Sequence, residues 1–446
     1  MKILDRSLVK SIFLLSLPAI FEMALHTLLG VADTIMISRM IDSSALSASG
    51  YSNQIVFLLI FIFSSFNTGA IAMTSRAYGE KNYLKAKLIT NQNLILNSII
   101  GIIIMFLSLM TYKHIFAIYD ITPKVQQYAY DYFNIITCGI PFMFISFSLS
   151  ASLRGVGDTK TPMKITAFVN LINVILNYML IKGVWIFPEL GVKGAALATS
   201  FSRFLAAIIL VYILINKNDY LNLKFKYFKL TKKVTEKLWQ LSYPGAIEQL
   251  FMHGSFLLLG IIISHLSTLE EASFRILVTI ESLSFMPAIG ISIATATLVG
   301  KALGEKNVQK SLHTGYIATG MATIWGVFMG LLFLTIPKTL LTPFTADQML
   351  IQISIVTLMI AGINQPLLNS MIVLTGALRG AGDTKFVMII ATLRLWLIFM
   401  PLTYIFVIPL GQSVKGLWFA EIISFIVYLP IIIARMKTTK WSKIEM

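Results

Sequence analysis

The sequence SLRGVGDTK at residues 152–160 occurs again, almost unchanged, as ALRGAGDTK at residues 377–385. The two arginines of this motif, Arg154 and Arg379, are 225 positions apart. Three further blocks recur in the same order and at nearly the same spacing: YGEKN at 78–82 and LGEKN at 303–307, LSLPAIFE at 15–22 and LSYPGAIE at 241–248, and, more weakly, GVKGAALA at 191–198 and SVKGLWFA at 413–420. Together these blocks indicate an internal repeat that occupies the whole chain.

The composition places this repeat in a membrane. Of the 446 residues 57% are hydrophobic and only 13% are charged, and the mean hydropathy is +0.80. A soluble domain carries nearer 25% charged residues, so this chain has too little polar surface to cover itself in water. The single cysteine, Cys138, excludes an intramolecular disulfide. The apolar run after Lys10 continues to Ile37 without a cleavage site, which indicates an uncleaved first span.

Hydropathy predicts an all-α polytopic membrane protein with twelve transmembrane helices in two homologous six-helix lobes. The N-terminal lobe is predicted at 11–215 and the C-terminal lobe at 238–435, joined by a basic cytoplasmic connector at 216–237. Because each repeat has an even number of spans, we expect the lobes to be related by an axis along the membrane normal. The predicted spans are 11–38, 49–75, 90–112, 125–152, 162–184, 191–215, 238–264, 273–300, 311–335, 347–377, 384–409 and 413–435.

The basic residues are distributed unevenly across the membrane. The side that holds the two termini and the connector has 26 lysines and arginines, and the other side has 8. The positive-inside rule therefore predicts a multi-pass protein of the plasma or inner membrane with both termini in the cytoplasm. This bias also accounts for the net charge of +16 without a nucleic-acid partner. We expect the connector to rest on anionic lipid head groups.

The repeated RGxGDTK motif has the residues of a tight turn between two helices. Its glycines allow the turn, and Asp158 and Asp383 are placed to cap the next helix. Arg154 and Arg379 are expected to anchor the turn at the head groups. We therefore expect the motif to be mainly structural.

Ionisable residues inside the spans are candidates for function, since a charge in the bilayer is costly unless it is used or paired. Intramembrane Arg203 and Arg394 need partners for the same reason. The acidic and histidine candidates are Glu22, Asp33, Glu248, His253 and Glu281.

Four polar residues of the N-terminal half are predicted at similar depth. Counted from the outer helix ends, Asp33 lies about 8 Å, Asn177 about 11 Å and Thr199 about 12 Å deep, with Asn173 one turn below Asn177. One carboxylate, two amides and one hydroxyl can form an oxygen cage for a small hard cation such as Na⁺, or Asp33 can bind a proton. Hydrogen bonding that only holds helices together explains the same pattern equally well.

Several motifs resemble those of the multidrug and toxic compound extrusion (MATE) family of bacterial efflux transporters. They are PxxxE in spans one and seven, VADTIMISR at 31–39, LRGxGDTK after spans four and ten, SFMPAIGISIA at 284–294, and LRLWLIFMPL at 393–402. The resemblance covers nearly the whole chain. It implies two lobes that form a V, alternating access, and export of organic compounds, most suitably cationic ones, against an inward flow of Na⁺ or H⁺.

The resemblance also assigns roles to individual residues. Family members bind a cation with a span-one Asp, an NxxxN or NxxxD pair in span five and a span-six Thr, and Asp33, Asn173, Asn177 and Thr199 match this pattern. Where some relatives have Asp, this chain has Asn177, so only one formal charge is available there.

The C-terminal lobe departs from the acidic pair that some relatives carry in spans seven and ten. Span ten has no acid. His253 with Glu281 is the candidate pair that could bind substrate or a proton, and a purely structural pair is the alternative. Glu22 and Glu248 follow Pro18 and Pro244 and are expected either to act at a gate or to pair with Arg203 or Arg394.

Other function classes fit less well. A lipid-linked oligosaccharide flippase of the same superfamily is the main alternative, but it needs a cation-lined cavity, whereas these spans carry mainly acids. There is no GxxxxGK[ST] loop for an ATP-driven pump, and the five histidines are scattered rather than clustered as in a membrane enzyme. We therefore expect a monomeric transporter that is not an enzyme and needs no cofactor beyond its coupling ion.

Overall fold

The computed structural model describes residues 6–216, 220–228 and 230–444, and this part of the chain is helical without a strand. This confirms the predicted all-α class. Residues 217–219 and 229 of the predicted connector lie outside the described residues. The helices are α1 (Arg6–Met40), α2 (Ser43–Ser64), α3 (Asn67–Gly79), α4 (Tyr83–Phe116), α5 (Pro123–Cys138), α6 (Ile140–Gly155), α7 (Lys160–Lys182), α8 (Val192–Asn216), α9 (Lys232–Ile263), α10 (Thr268–Gly304), α11 (Val308–Thr335), α12 (Pro337–Leu341), α13 (Gln348–Gly380), α14 (Thr384–Leu393), α15 (Met400–Val407) and α16 (Lys415–Lys437).

Each of the twelve predicted spans coincides with a helix or with a run of consecutive helices. In the described part of the chain, ten are continuous and apolar enough to cross a membrane, and one of these joins α14 to α15 through the π-helical segment Arg394–Phe399. An eleventh is the pair α5 and α6, which bends by 43°. The predicted span 49–75 is formed by α2 and α3. A π-helical segment inside a span often marks a functional position.

Backbone packing divides the described chain into two compact units. The N-unit comprises Phe21–Gln240, and the C-unit comprises the described residues up to Ile20 and from Leu241 onward. The chain passes from one unit to the other at residues 20–21 in α1 and 240–241 in α9. Each boundary lies close to a proline inside its helix, Pro18 in α1 and Pro244 in α9. The units are defined by packing and the predicted lobes by internal homology, so the lobe boundaries remain a prediction.

The large hydrophobic side chains divide between core and lipid-facing surface. In the N-unit, Phe116 and Phe133 are fully buried and meet edge to face, with ring centroids 5.4 Å apart. By contrast, Met110 is 75% exposed and Ile324 of the C-unit is 73% exposed. Such exposure would be unfavourable in water but is the expected state of a side chain that contacts acyl chains.

The RGxGDTK turn has the same backbone geometry in both units. Gly157 has φ 88° and Gly382 has φ 89°, a left-handed conformation that glycine adopts without a Cβ clash. In both turns the aspartate N–H donates to the carbonyl five residues earlier, at 2.9 Å. The repeat seen in the sequence is therefore a repeat in three dimensions.

The two aspartates of the motif differ in their partners. Asp158 caps α7, since its carboxylate accepts from the Thr161 N–H at 2.9 Å and from the Thr161 hydroxyl at 2.7 Å. Asp383 makes no capping hydrogen bond and instead accepts two from Arg435, at 2.7 and 3.2 Å. The predicted capping role is confirmed for Asp158. It is wrong for Asp383, because Arg435 of α16 binds the carboxylate of Asp383 instead.

Candidate functional site

Helices α7 and α8 form a close hairpin that carries three of the four predicted coupling residues. Helix α7 ends at Gly183, which adopts the left-handed conformation with φ 66°. A Cβ at Gly194, in the first turn of α8, would lie 2.5 Å from the Leu180 carbonyl oxygen. Only glycine therefore permits this approach of α8 to the end of α7. The hairpin places Asn173 of α7 next to Thr199 of α8, and Asn177 lies one turn along α7 from Asn173.

Asp33 of α1 completes the group. The Asn177 side-chain nitrogen donates to Asp33 Oδ1 at 2.6 Å and to Asn173 Oδ1 at 2.9 Å. The Asn173 nitrogen is 3.4 Å from the Thr199 hydroxyl, which itself donates to the Ala195 carbonyl at 3.1 Å. Asn173 and Asn177 are 0% and 1% exposed. The structure therefore brings all four predicted residues together in the N-unit.

The amide of Asn173 has partners in two orientations. If it is turned over, its nitrogen lies 3.2 Å from Asp33 Oδ1 and its oxygen lies 3.3 Å from the Thr199 N–H. In the first orientation the buried Oδ1 of Asn177 has no hydrogen-bond partner among the described residues. A buried acceptor without a donor costs free energy, so a bound cation or a proton on a neighbouring group would be stabilised there.

A positive charge from α8 lies near Asp33. Arg203 is one helical turn beyond Thr199, its guanidinium is 3.5 Å from the Ile136 carbonyl oxygen, and it interacts electrostatically with Asp33 and Tyr132. The Tyr132 hydroxyl donates to Asn53 at 3.4 Å. The carboxylate of Asp33 and the guanidinium of Arg203 therefore balance each other in charge, and a cation at Asp33 would change this balance.

Glu22 and Glu248, the two acids that follow the helix prolines, form equivalent ion pairs. Glu22 accepts from Arg154 at 2.7 Å in the N-unit, and Glu248 accepts from Arg379 at 2.7 Å in the C-unit. This differs from the prediction in two respects. The partners of the acids are not Arg203 and Arg394, and the motif arginines bind acids of their own unit, because the end of α6 meets α1 and the end of α13 meets α9.

The predicted His253–Glu281 pair is not formed. Glu281 of α10 accepts from Gln365 of α13 at 2.8 Å, and the indole of Trp418 also faces it, whereas His253 is not among the groups that act on it. His253 lies on α9 and is partly buried. The depth of a residue in its span, counted from the sequence, does not give the direction in which its side chain points.

Two acids in the interior of predicted spans were not among the candidates: Asp131, which lies 3.5 Å from Lys193, and Glu421. Glu421 of α16 accepts from Asn364 at 2.7 Å and interacts electrostatically with Glu281 and Arg394. It lies inside the predicted span 413–435, so the criterion that selected the other acids would also have selected it. The guanidinium of Arg394 donates to the Ser424 hydroxyl at 3.0 Å and lies over the Phe425 ring at 4.6 Å.

A family model described as MatE matches residues 18–179 and again residues 244–405. The two matches begin at Pro18 and Pro244, in agreement with the repeat read from the sequence. They cover well over half of the chain and confirm that its halves are homologous.

Whole-length relatives match as well. A probable multidrug resistance protein NorM from Thermotoga maritima is 31% identical, with 97% of this chain and 93% of that protein covered. An uncharacterized transporter YisQ from Bacillus subtilis is 29% identical over 93% of this chain and 90% of that protein. An outward-facing multidrug resistance MATE family transporter of the MOP superfamily shares the fold, with a TM-score of 0.89, 22% identity and coverage of 97% and 96%.

Proposed function

Since the chain belongs to the MatE family of multidrug efflux transporters, we propose that it exports small organic compounds, cationic ones in particular, in exchange for inward movement of Na⁺ or H⁺. Family membership makes it a multi-pass membrane protein that handles small molecules. The coupling ion and the substrate class are the parts of the function that we propose. We also propose that it acts as a monomer with both termini in the cytoplasm.

The observation that carries the proposal is the group around Asp33. A carboxylate, two buried amides and a hydroxyl are connected by successive hydrogen-bond distances between α1, α7 and α8. Such a group is costly in a membrane protein unless it is used. Asp33 is its only acid, and Asn177 Oδ1 is an acceptor still available to a proton donor or a cation.

The proposed coupling depends on competition between Arg203 and a bound proton or Na⁺ for the negative charge of Asp33. The Asp33 carboxylate accepts an N–H donor from Asn177 and balances the charge of Arg203. A proton or Na⁺ at Asp33 would cancel that negative charge and leave Arg203 uncompensated. The two states therefore differ in charge inside the N-unit, and this difference can bias a conformational equilibrium.

Asp33→Asn is the direct test, because it keeps the side-chain shape and removes the charge. In proteoliposomes with ΔpH and ΔNa⁺ imposed separately, we expect the variant to lose export of an organic cation driven by the effective gradient, while it folds normally. Asp120→Asn is the matched control, since Asp120 is exposed and precedes α5. Full gradient-driven export by the Asp33 variant would contradict the proposal.

A lipid-linked oligosaccharide flippase is the alternative function. Its substrate would need intramembrane cations, and the two that lie inside spans here, Arg203 and Arg394, each interact with an acid of their own unit. The structure therefore favours export of organic cations. Movement of such a lipid in the same proteoliposomes, without dependence on either gradient, would favour the flippase.

A further inference from the structure

The C-unit contains a second group of buried polar residues that the proposed coupling site does not use. Gln365 Nε2 donates to Glu281 Oε1 at 2.8 Å, and the adjacent Asn364 Nδ2 donates to Glu421 Oε2 at 2.7 Å. Glu281 is 8% exposed, and both amides are fully buried. Two neighbouring residues of α13 thus hold two carboxylates, one from α10 and one from α16, which interact with each other.

The repeat relates this group to the site in the N-unit. The blocks GVKGAALA and SVKGLWFA are offset by 222 positions, so the residue that follows the second block, Glu421, corresponds to Thr199. Thr199 is one of the four residues around Asp33. The same position of the last helix in each half therefore carries a polar side chain that accepts a hydrogen bond from a buried asparagine of its own unit, Asn173 or Asn364.

The charges of the group do not balance. Glu281 and Glu421 carry two negative charges when ionised, and Arg394 of the π-helical segment supplies one positive charge. Among the described residues, α11 and α15 contribute no charged group that acts on either acid. Arg394 itself also faces Tyr428 and Glu248, and Glu248 is neutralised by Arg379. One further positive charge makes the group neutral.

The hydrogen bonds lack donors as well. Among the residues that the structure describes, the buried Oδ1 of Asn364 and Oε1 of Gln365 have no hydrogen-bond partner, although the nitrogens of the same amides contact the two carboxylates. An ionised carboxylate cannot donate to these oxygens, but a protonated carboxyl supplies one O–H donor. A single added proton thus corrects the charge and provides a missing donor at the same place.

We propose that Glu281 and Glu421 share one bound proton, held by Asn364 and Gln365, so that the C-unit contains a proton-binding site of its own. The site is separate from the group at Asp33 and does not depend on the proposed antiport. If the protein is an antiporter, this proton is a second coupling ion or a fixed neutralising charge.

Infrared spectroscopy of the purified, full-length protein in lipid tests the proposal. The reference is Asp33→Asn, which removes the carboxyl of the N-unit site. At neutral pH we expect one protonated-carboxyl C=O band that shifts in D₂O. Glu281→Gln and Glu421→Gln should each abolish it, because either change leaves the group with one acid against the single positive charge of Arg394, which acts on Glu421. Glu271→Gln, an exposed position on the same helix as Glu281, should leave the band intact.

Three spectroscopic results would overturn the proposal. A band that survives in both variants places the proton elsewhere, and a band lost in only one variant shows that the proton is not shared. A band in the reference that disappears when Na⁺ replaces choline at constant pH shows that the site takes Na⁺ in place of a proton. None of these results depends on whether a gradient drives export, so the proposed function can fail independently.

A second measurement needs no variant and therefore avoids any folding defect. Dicyclohexylcarbodiimide modifies protonated carboxyls in apolar surroundings. In the unsubstituted protein, mass spectrometry should find one modification per molecule in this group, distributed between Glu281 and Glu421 and lost at alkaline pH. Modification of both acids in one molecule, or of neither, would contradict a single shared proton.

Discussion

A carboxylate inside a helix bundle needs partners, and the structure gives Asp33 partners of two kinds. The amide of Asn177 donates to it directly, and the guanidinium of Arg203 balances its charge without an ion pair. Direct donors stabilise the charged form, while a more distant charge leaves the carboxylate accessible to a competing cation. This arrangement suits a residue that gains and loses a cation during a cycle.

Asn177→Asp tests the single-charge character of this site. A second carboxylate 2.6 Å from the first would repel it, so one of the two should retain a proton to higher pH. We expect the pH dependence of transport in proteoliposomes to shift upward. Asn216→Asp, at the exposed end of α8, is the control and should leave the profile unchanged. An identical profile for Asn177→Asp would argue against Asp33 as the coupling residue.

At the scale of helices, the two equivalent ion pairs explain the shared geometry of the halves. Each ties the proline-containing first helix of its half to the end of the fourth predicted span, through Glu22–Arg154 and Glu248–Arg379. Both acids lie four residues beyond the proline of their helix, Pro18 in α1 and Pro244 in α9. Each ion pair therefore holds its helix just beyond the proline, at the same place in both halves.

Removing one partner should destabilise the protein, because it leaves an unpaired charge. We expect Glu22→Gln to lower stability by roughly 1–3 kcal/mol, and Glu248→Gln by less. The reason is exposure: 5% for Glu22 and 17% for Glu248. Thermal unfolding in detergent measures both. Adding Arg154→Gln to Glu22→Gln should recover part of the loss, and purely additive losses would show that the pair is not coupled.

Close packing of α11 against α13 fixes the backbone position of Asn364 and Gln365. A Cβ at Gly326 would lie 2.6 Å from the Gln365 carbonyl oxygen and 2.8 Å from Pro366 Cα, and Gly330 and Gly362 make a similar close contact. Small residues commonly permit such approaches between helices in membranes.

Gly326→Ala should therefore force the two backbones apart and cost about 1–3 kcal/mol. Gly320→Ala is a matched control on the same helix, since a Cβ there meets nothing within 4 Å. It should be neutral or stabilising by up to about 1 kcal/mol, because alanine favours helix. Thermal unfolding compares the two variants, and equal effects would contradict the close contact at Gly326.

At the scale of the whole chain, the charge distribution predicts which side of the membrane each loop faces, and cysteine labelling tests this orientation. In a Cys138→Ser background, cysteines at Lys224 and Lys443 should react only with reagents that reach the cytoplasm. A cysteine at Trp185, which is 88% exposed between α7 and α8, should react from outside. These sides follow from 26 basic residues against 8. Labelling of Lys443→Cys from outside would reverse the orientation.

The sequence by itself determined the helical class, the positions of the spans, the repeat and the four residues that meet at Asp33. The first three depend on composition, hydrophobic run length and self-similarity, which are local or additive along the chain. The four residues are different: counted helical rise places them at similar depth, but their choice as one group came from the match to the motif pattern of the MATE family.

Only the tertiary structure decided which polar side chains are partners. Glu22 binds Arg154 and not Arg203, Glu281 binds Gln365 and not His253, and Asp383 binds Arg435 where Asp158 caps its own helix. Partner choice depends on how each helix is rotated about its axis and on which neighbours pack against it. That rotation is set by close contacts such as those at Gly194 and Gly326, and hydropathy contains no record of it.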